Sequence, residues 1–89
     1  MNHRKLVIIP TFNEKENILE MIHTVMNLEG GVELLVIDDG SPDGTGKLVK
    51  SQQIAFPDRL HLIERKGKLG LGTAYITGFK WALEKDYDF

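Results

Sequence analysis

Cysteine is absent from the 89 residues. That excludes disulfides and thiolate metal sites, and it suits a reducing compartment. Histidine is scarce: His3, His23 and His61 lie too far apart to form a recognisable ligand set, and they read as surface or packing residues. No stretch approaches the roughly 20 apolar residues that span a bilayer. The start, MNHRKLVIIP, has too short an apolar run for a signal peptide. No sign of charge dominates either. The formal net charge is -2, so no global basic field draws in nucleic acid, which is not expected as a partner.

With 42% hydrophobic and 27% charged residues, the composition is that of a soluble globular chain. Its length allows one domain, with a core of limited size. Leu6 to Ile9 is a short, continuous apolar run ended by Pro10, which predicts a buried strand. Asn13 with Glu16 three residues on resembles a capping box. A helix is expected behind it, with Ile18, Leu19, Ile22, Val25 and Met26 at helical spacing and an end near Gly30-Gly31.

Val32 to Ile37 predicts a second buried strand, and DDGSPDGTG is turn chemistry. A second helix is expected near Thr45 to Ala55, with Leu48, Val49 and Ile54 inward and Pro57 as its stop. Arg59 to Glu64 alternates as a third strand. A basic, glycine-rich loop, RKGKLGLG, leads into a third helix with Ala74, Tyr75, Gly78, Trp81 and Ala82 on one face. Tyr75, Phe79 and Trp81 read as helix packing. Tyr87 to Phe89 looks like the start of a fourth strand. Strands alternating with helices predict an α/β fold, a Rossmann-like parallel sheet with helices on both faces. Pro10 to Glu14, Asp38 to Gly46 and Arg65 to Gly72 then all follow strand carboxyl ends, the edge where such sheets bind ligands.

The stretch from Val36 to Gly46 poses the sharpest question. Two adjacent carboxylates, Asp38 and Asp39, stand at the mouth of a buried strand, where repulsion and desolvation oppose them. A compensating group outside the chain is expected: a base N–H, ribose hydroxyls or a hydrated divalent ion. The alternative is a plain turn, with Asp38 capping backbone amides and Asp43 capping the next helix. That alternative suits Ser41, Asp43 and Thr45 better than it suits the acidic pair.

Strict phosphate and calcium motifs fail. A P-loop ending on Gly46-Lys47 has Ser41 for its first glycine and Leu48 for its hydroxyl. Gly70-Leu71-Gly72 starts a dinucleotide fingerprint that Tyr75 then breaks. A calcium loop from Asp39 places Lys50 where the bidentate glutamate belongs. Arg65, Lys66 and Lys68 among glycines still suit the approach of a phosphate.

Taken together, VIIPTFNEKENI, LLVIDDGSPDGT and RKGKLGLGTAYITGFKWA resemble family 2 glycosyltransferases of the GT-A fold, and most closely the polyprenol- and dolichol-phosphate mannosyltransferase branch. The resemblance implies the nucleotide-binding half of a GT-A fold across residues 1–89. It also implies transfer of mannose from GDP-mannose to a polyprenyl phosphate with inversion. Pro10, Phe12, Asn13 and Glu14 would lie against base and ribose, Phe12 keeping the family's ring without a tyrosine hydroxyl. Asp38 or Asp39 would contact base or ribose, and Arg65, Lys66, Lys68 and Gly70 would lie near the nucleotide. The family's D-x-D motif, which holds Mg²⁺ or Mn²⁺, is expected beyond Phe89, as are the catalytic and acceptor-binding residues. Asp86 and Asp88 stand at the beginning of the expected strand instead of ending it and are not read as that motif.

The resemblance further implies a cytoplasmic setting at a membrane face and an inactive fragment on its own. A truncated parallel sheet leaves an exposed edge, which predicts self-association of the fragment. A UDP-sugar donor or a saccharide acceptor is the nearest alternative. A receiver-like signalling domain is the rival outside enzymes, but its acidic pair follows the first strand. A nucleotidyltransferase usually carries a glycine-rich loop after its first strand, and TFNEKEN has no glycine.

Overall fold

A computed structural model describes residues 5–66 and 71–85 of the chain. The apolar runs form β1 (Leu6–Thr11), β2 (Glu33–Asp38) and β3 (Leu60–Glu64). The periodic segments between them form α1 (Ile18–Met26), α2 (Thr45–Gln53) and α3 (Leu71–Glu84). Both strand pairings are parallel and the order is β1-β2-β3. Every residue of β2 is buried, as a central strand covered on both faces requires.

Alternation along the strands splits the apolar side chains between two cores. Val7, Ile9, Leu34, Val36, Leu60 and Leu62 face α1 and α2, with Ile18, Ile22, Val25 and Val49. Leu6, Ile8, Leu35, Ile37 and Ile63 face α3, with Ala74 and Trp81. The arrangement is a Rossmann-like sheet with helices on both faces. Gly78 sets the approach of α3. A Cβ there would stand 2.9 Å from Ile8 Cγ2 and 3.0 Å from Ile37 Cδ1, so a side chain would displace the helix from the sheet.

Several local expectations are corrected. The capping box does not form: α1 starts at Ile18, and its N-cap, Asn17, makes no side-chain cap bond. The Glu14 carbonyl instead accepts from the N–H groups of Asn17 and Ile18, which inserts a turn before the helix. At the other end α1 stops at Met26, and Gly30 and Gly31 serve the turn into β2, at φ 92° and 66°. Ile54 is 86% exposed; it lies past the end of α2 and about 140° round from Val49 at 100° per residue. Leu19, Tyr75 and Phe79 are also exposed, so of the three aromatics of α3 Trp81 alone packs inward. β1 is half-buried before Thr11 because it pairs on one side only among the described residues. The expected fourth strand at Tyr87 to Phe89 lies outside the described residues.

Candidate functional site

The register aligns Thr11, Asp38 and Glu64 across the sheet. The three loops that follow therefore leave one edge side by side. Arg65 and Lys66 open the third loop; Lys68 and Gly70 lie outside the described residues, as do Asp86 and Asp88.

The acidic pair is resolved by the pleat. Successive residues point to opposite faces, and the two carboxylates diverge into separate networks. Asp38, 2% exposed, accepts from Thr11 Oγ1 at 2.8 Å, Ser41 Oγ at 2.6 Å and Ser41 N–H at 3.0 Å. Asp39, 6% exposed, receives Arg65 in a two-point grip, Nε to Oδ1 at 2.6 Å and Nη2 to Oδ2 at 2.9 Å. Arg65 Nη1 also donates to Thr73 Oγ1 at 3.1 Å, which ties the third loop to α3. Hydroxyls and a guanidinium of the chain itself thus offset the two charges. Among the described residues no buried side-chain nitrogen or oxygen lacks a partner.

The first two loops are joined by three consecutive backbone amides. Asn13 N–H donates to Ser41 Oγ at 2.8 Å, Glu14 N–H to Thr45 Oγ1 at 3.0 Å and Lys15 N–H to Asp43 Oδ2 at 3.0 Å. Asn13 is held at φ 54°, a left-handed conformation that asparagine tolerates better than most residues. Asp43 also accepts from the N–H and Oγ1 of Thr45. These bonds, the Thr45 hydroxyl first, hold its carboxyl below the usual aspartate range. The turn reading of Ser41, Asp43 and Thr45 therefore describes their local bonds. It missed that the same side chains grip a segment about 30 residues away in sequence, and no local signal carries that pairing.

Of the expected nucleotide contacts, Pro10, Phe12 and Glu14 are half-buried, while Asn13 and Lys66 are exposed. Glu14 Oε2 accepts from Asn17 Nδ2 at 3.4 Å. Glu64 pairs with Lys50 at 2.7 Å, and Gly46 lets its carboxylate approach α2: a Cβ there would stand 3.0 Å from Glu64 Oε2. A cavity of about 390 Å³ lies elsewhere, between β1 and α1, lined by Ile9, Asn17, Glu20, Met21, Thr24 and Val25. None of the expected contacts lines it. Among the described residues no group of three or more His, Asp or Glu could hold a metal ion.

The family model described as Glycosyl transferase family 2 matches residues 6–87. The chain is 50% identical over 84 residues to the polyprenol monophosphomannose synthase of Mycolicibacterium smegmatis, covering 94% of this chain and 32% of that protein. It is 42% identical over 85 residues to the undecaprenyl-phosphate mannosyltransferase of Micrococcus luteus, covering 96% and 35%. In structure it is similar to a mannosyltransferase from Pyrobaculum calidifontis in complex with GDP-Man and Mn²⁺, with a TM-score of 0.83 and 30% identity over 92% of this chain and 25% of that one. The chain thus spans about a third of the length of those two relatives. The parallel sheet, the three joined loops and the match from β1 to beyond α3 agree: the chain belongs to glycosyl transferase family 2.

Proposed function

We propose that residues 1–89 form the nucleotide-sugar-binding portion of a mannosyltransferase that moves mannose from GDP-mannose to a polyprenyl phosphate with inversion. One observation carries this reading. Three loops with base-, ribose- and phosphate-compatible side chains leave one sheet edge and are tied to one another by named bonds. Relatives at 50% and 42% identity bear polyprenol and undecaprenyl-phosphate mannosyl names, which supports mannose as the sugar and a lipid phosphate as the acceptor.

In this reading Phe12, Asn13 and Glu14 meet base and ribose, with Pro10 behind them. Asp39 and Arg65 hold the floor of the site as an ion pair, and Lys66, Lys68 and Gly70 lie toward the diphosphate. A phosphate oxygen of the acceptor attacks the anomeric carbon from the face opposite the nucleotide. The bond from that carbon to the diphosphate oxygen breaks, and GDP leaves with the electron pair. An acceptor phosphate is already largely ionised near neutral pH, with a second pKa of about 6 by analogy with phosphorylated side chains. It needs little help from a general base. A bound Mg²⁺ or Mn²⁺ would neutralise the leaving diphosphate. A lipid acceptor places the work at a membrane, on its cytoplasmic face. Among the described residues no helix is long and apolar enough to cross one. Among the described residues no strand pairs with the outer side of β1, which supports self-association of the isolated chain.

Calorimetric titration with GDP, UDP, GDP-mannose and UDP-glucose, with and without Mg²⁺ or Mn²⁺, tests the reading. Selective guanine-nucleotide binding is expected. Selective uridine binding would replace the donor, and beryllium fluoride binding without nucleotide binding would favour a receiver-like domain.

A further inference from the structure

We infer that Ser41 and Thr45 are positioning residues, two hooks that fix the Phe12–Lys15 loop in the conformation that meets the nucleotide. The inference rests on the nucleotide-binding reading above. A hydroxyl has one hydrogen to give, and an ionised carboxylate can only accept. Ser41 Oγ donates its hydrogen to Asp38 Oδ1 at 2.6 Å, and Thr45 Oγ1 donates to Asp43 Oδ1. Each carboxylate thereby aims a hydroxyl lone pair outward. The Asn13 and Glu14 amides meet those lone pairs at 2.8 and 3.0 Å. Lys15 N–H reaches Asp43 directly at 3.0 Å.

The design repeats twice in one loop: carboxylate, hydroxyl, foreign amide. It makes Asp38 and Asp43 the orienting groups and Ser41 and Thr45 the gripping ones. Packing does not require this grip. α1 is already anchored by Ile18, Ile22, Val25 and Met26 in the core, and the gripped residues precede that helix. What the three bonds select is the backbone path of Asn13, at φ 54°, and with it the placing of the Phe12, Asn13 and Glu14 side chains. A loop free to leave that path would meet a ligand only for the fraction of time it returned to it.

The test compares the wild-type chain with the Ser41→Ala/Thr45→Val pair and with Thr45→Ser, which keeps the hydroxyl. GDP affinity is measured by calorimetry, and amide exchange of Asn13, Glu14, Ile22 and Val25 by NMR, well below the unfolding midpoint. In the pair, GDP should bind about tenfold more weakly, and Asn13 and Glu14 should exchange faster while Ile22 and Val25 stay protected. Thr45→Ser should restore both readouts. Where the pair loses its fold, Ser41→Ala alone, at a half-buried position, gives the same comparison. Unchanged GDP affinity in a folded variant, or unchanged exchange at Asn13 and Glu14, overturns the inference. Wild-type protein that fails to bind GDP overturns the nucleotide reading instead, and the positioning role with it.

Discussion

Asp39 and Arg65 meet edge to edge, two guanidinium nitrogens on two carboxylate oxygens at 2.6 and 2.9 Å, with under a tenth of either side chain exposed. Removing one partner of such a buried pair leaves the other charge uncompensated. Asp39→Asn is therefore expected to lower unfolding free energy by roughly 3 kcal/mol in denaturant titration. Arg65→Lys keeps the charge and loses the planar fork; it should also destabilise, by less. Equal stability of Asp39→Asn and wild type would show that the pair is not held in solution.

The Asp43 carboxyl is held below the usual range, mainly by the Thr45 hydroxyl. Its folded pKa is lower than its unfolded one, so its bonds favour the folded chain above the ordinary aspartate value of about 3.9. That contribution falls away as pH drops through the lowered folded value. The stability difference between wild type and Asp43→Asn should accordingly shrink in acid. NMR titration of the Asp43 carboxyl to the ordinary value would sink this expectation.

Gly78→Val is expected to destabilise the chain by about 2 kcal/mol or more, since added carbons would press on Ile8 and Ile37 and a β-branched residue suits a helix poorly. Thermal unfolding gives the answer. An unchanged midpoint would mean that α3 can lift from the sheet without cost.

The proposed self-association is checked by light scattering across a concentration series. Mass should rise with concentration. A monomer throughout would count against the open edge as a pairing surface.

The fold was largely legible in the sequence because its signals are local. Leu6 to Ile9 and Leu34 to Ile37 are apolar runs too short for helices, and Ile18, Ile22 and Val25 repeat at one turn. Errors gathered at helix ends, where Asn13 was drawn out of a cap by Ser41 and Ile54 rotated off the inner face of α2. The wiring of the site was not legible. Asp39 finds Arg65 across 26 positions and Glu14 finds Thr45 across 31, and nothing in either segment names its partner. Ser41, Asp43 and Thr45 announce turn chemistry, and they do make turn bonds. Their second acceptor sites, which take the distant amides, become visible only once the loops are folded together.

The divergence of Asp38 and Asp39 couples two specifications that look separate. β2 sends Leu34 and Val36 to one core and Leu35 and Ile37 to the other, and the acidic pair continues the same alternation. Inserting one residue before Asp38 would exchange the two cores, and in the same stroke hand Arg65 the carboxylate meant for Ser41 and Thr11. Packing error and site error would thus be one event, and a mispaired β2 would be penalised at both ends of the strand. The frame of the central strand is checked twice, by oil on its length and by charge at its tip.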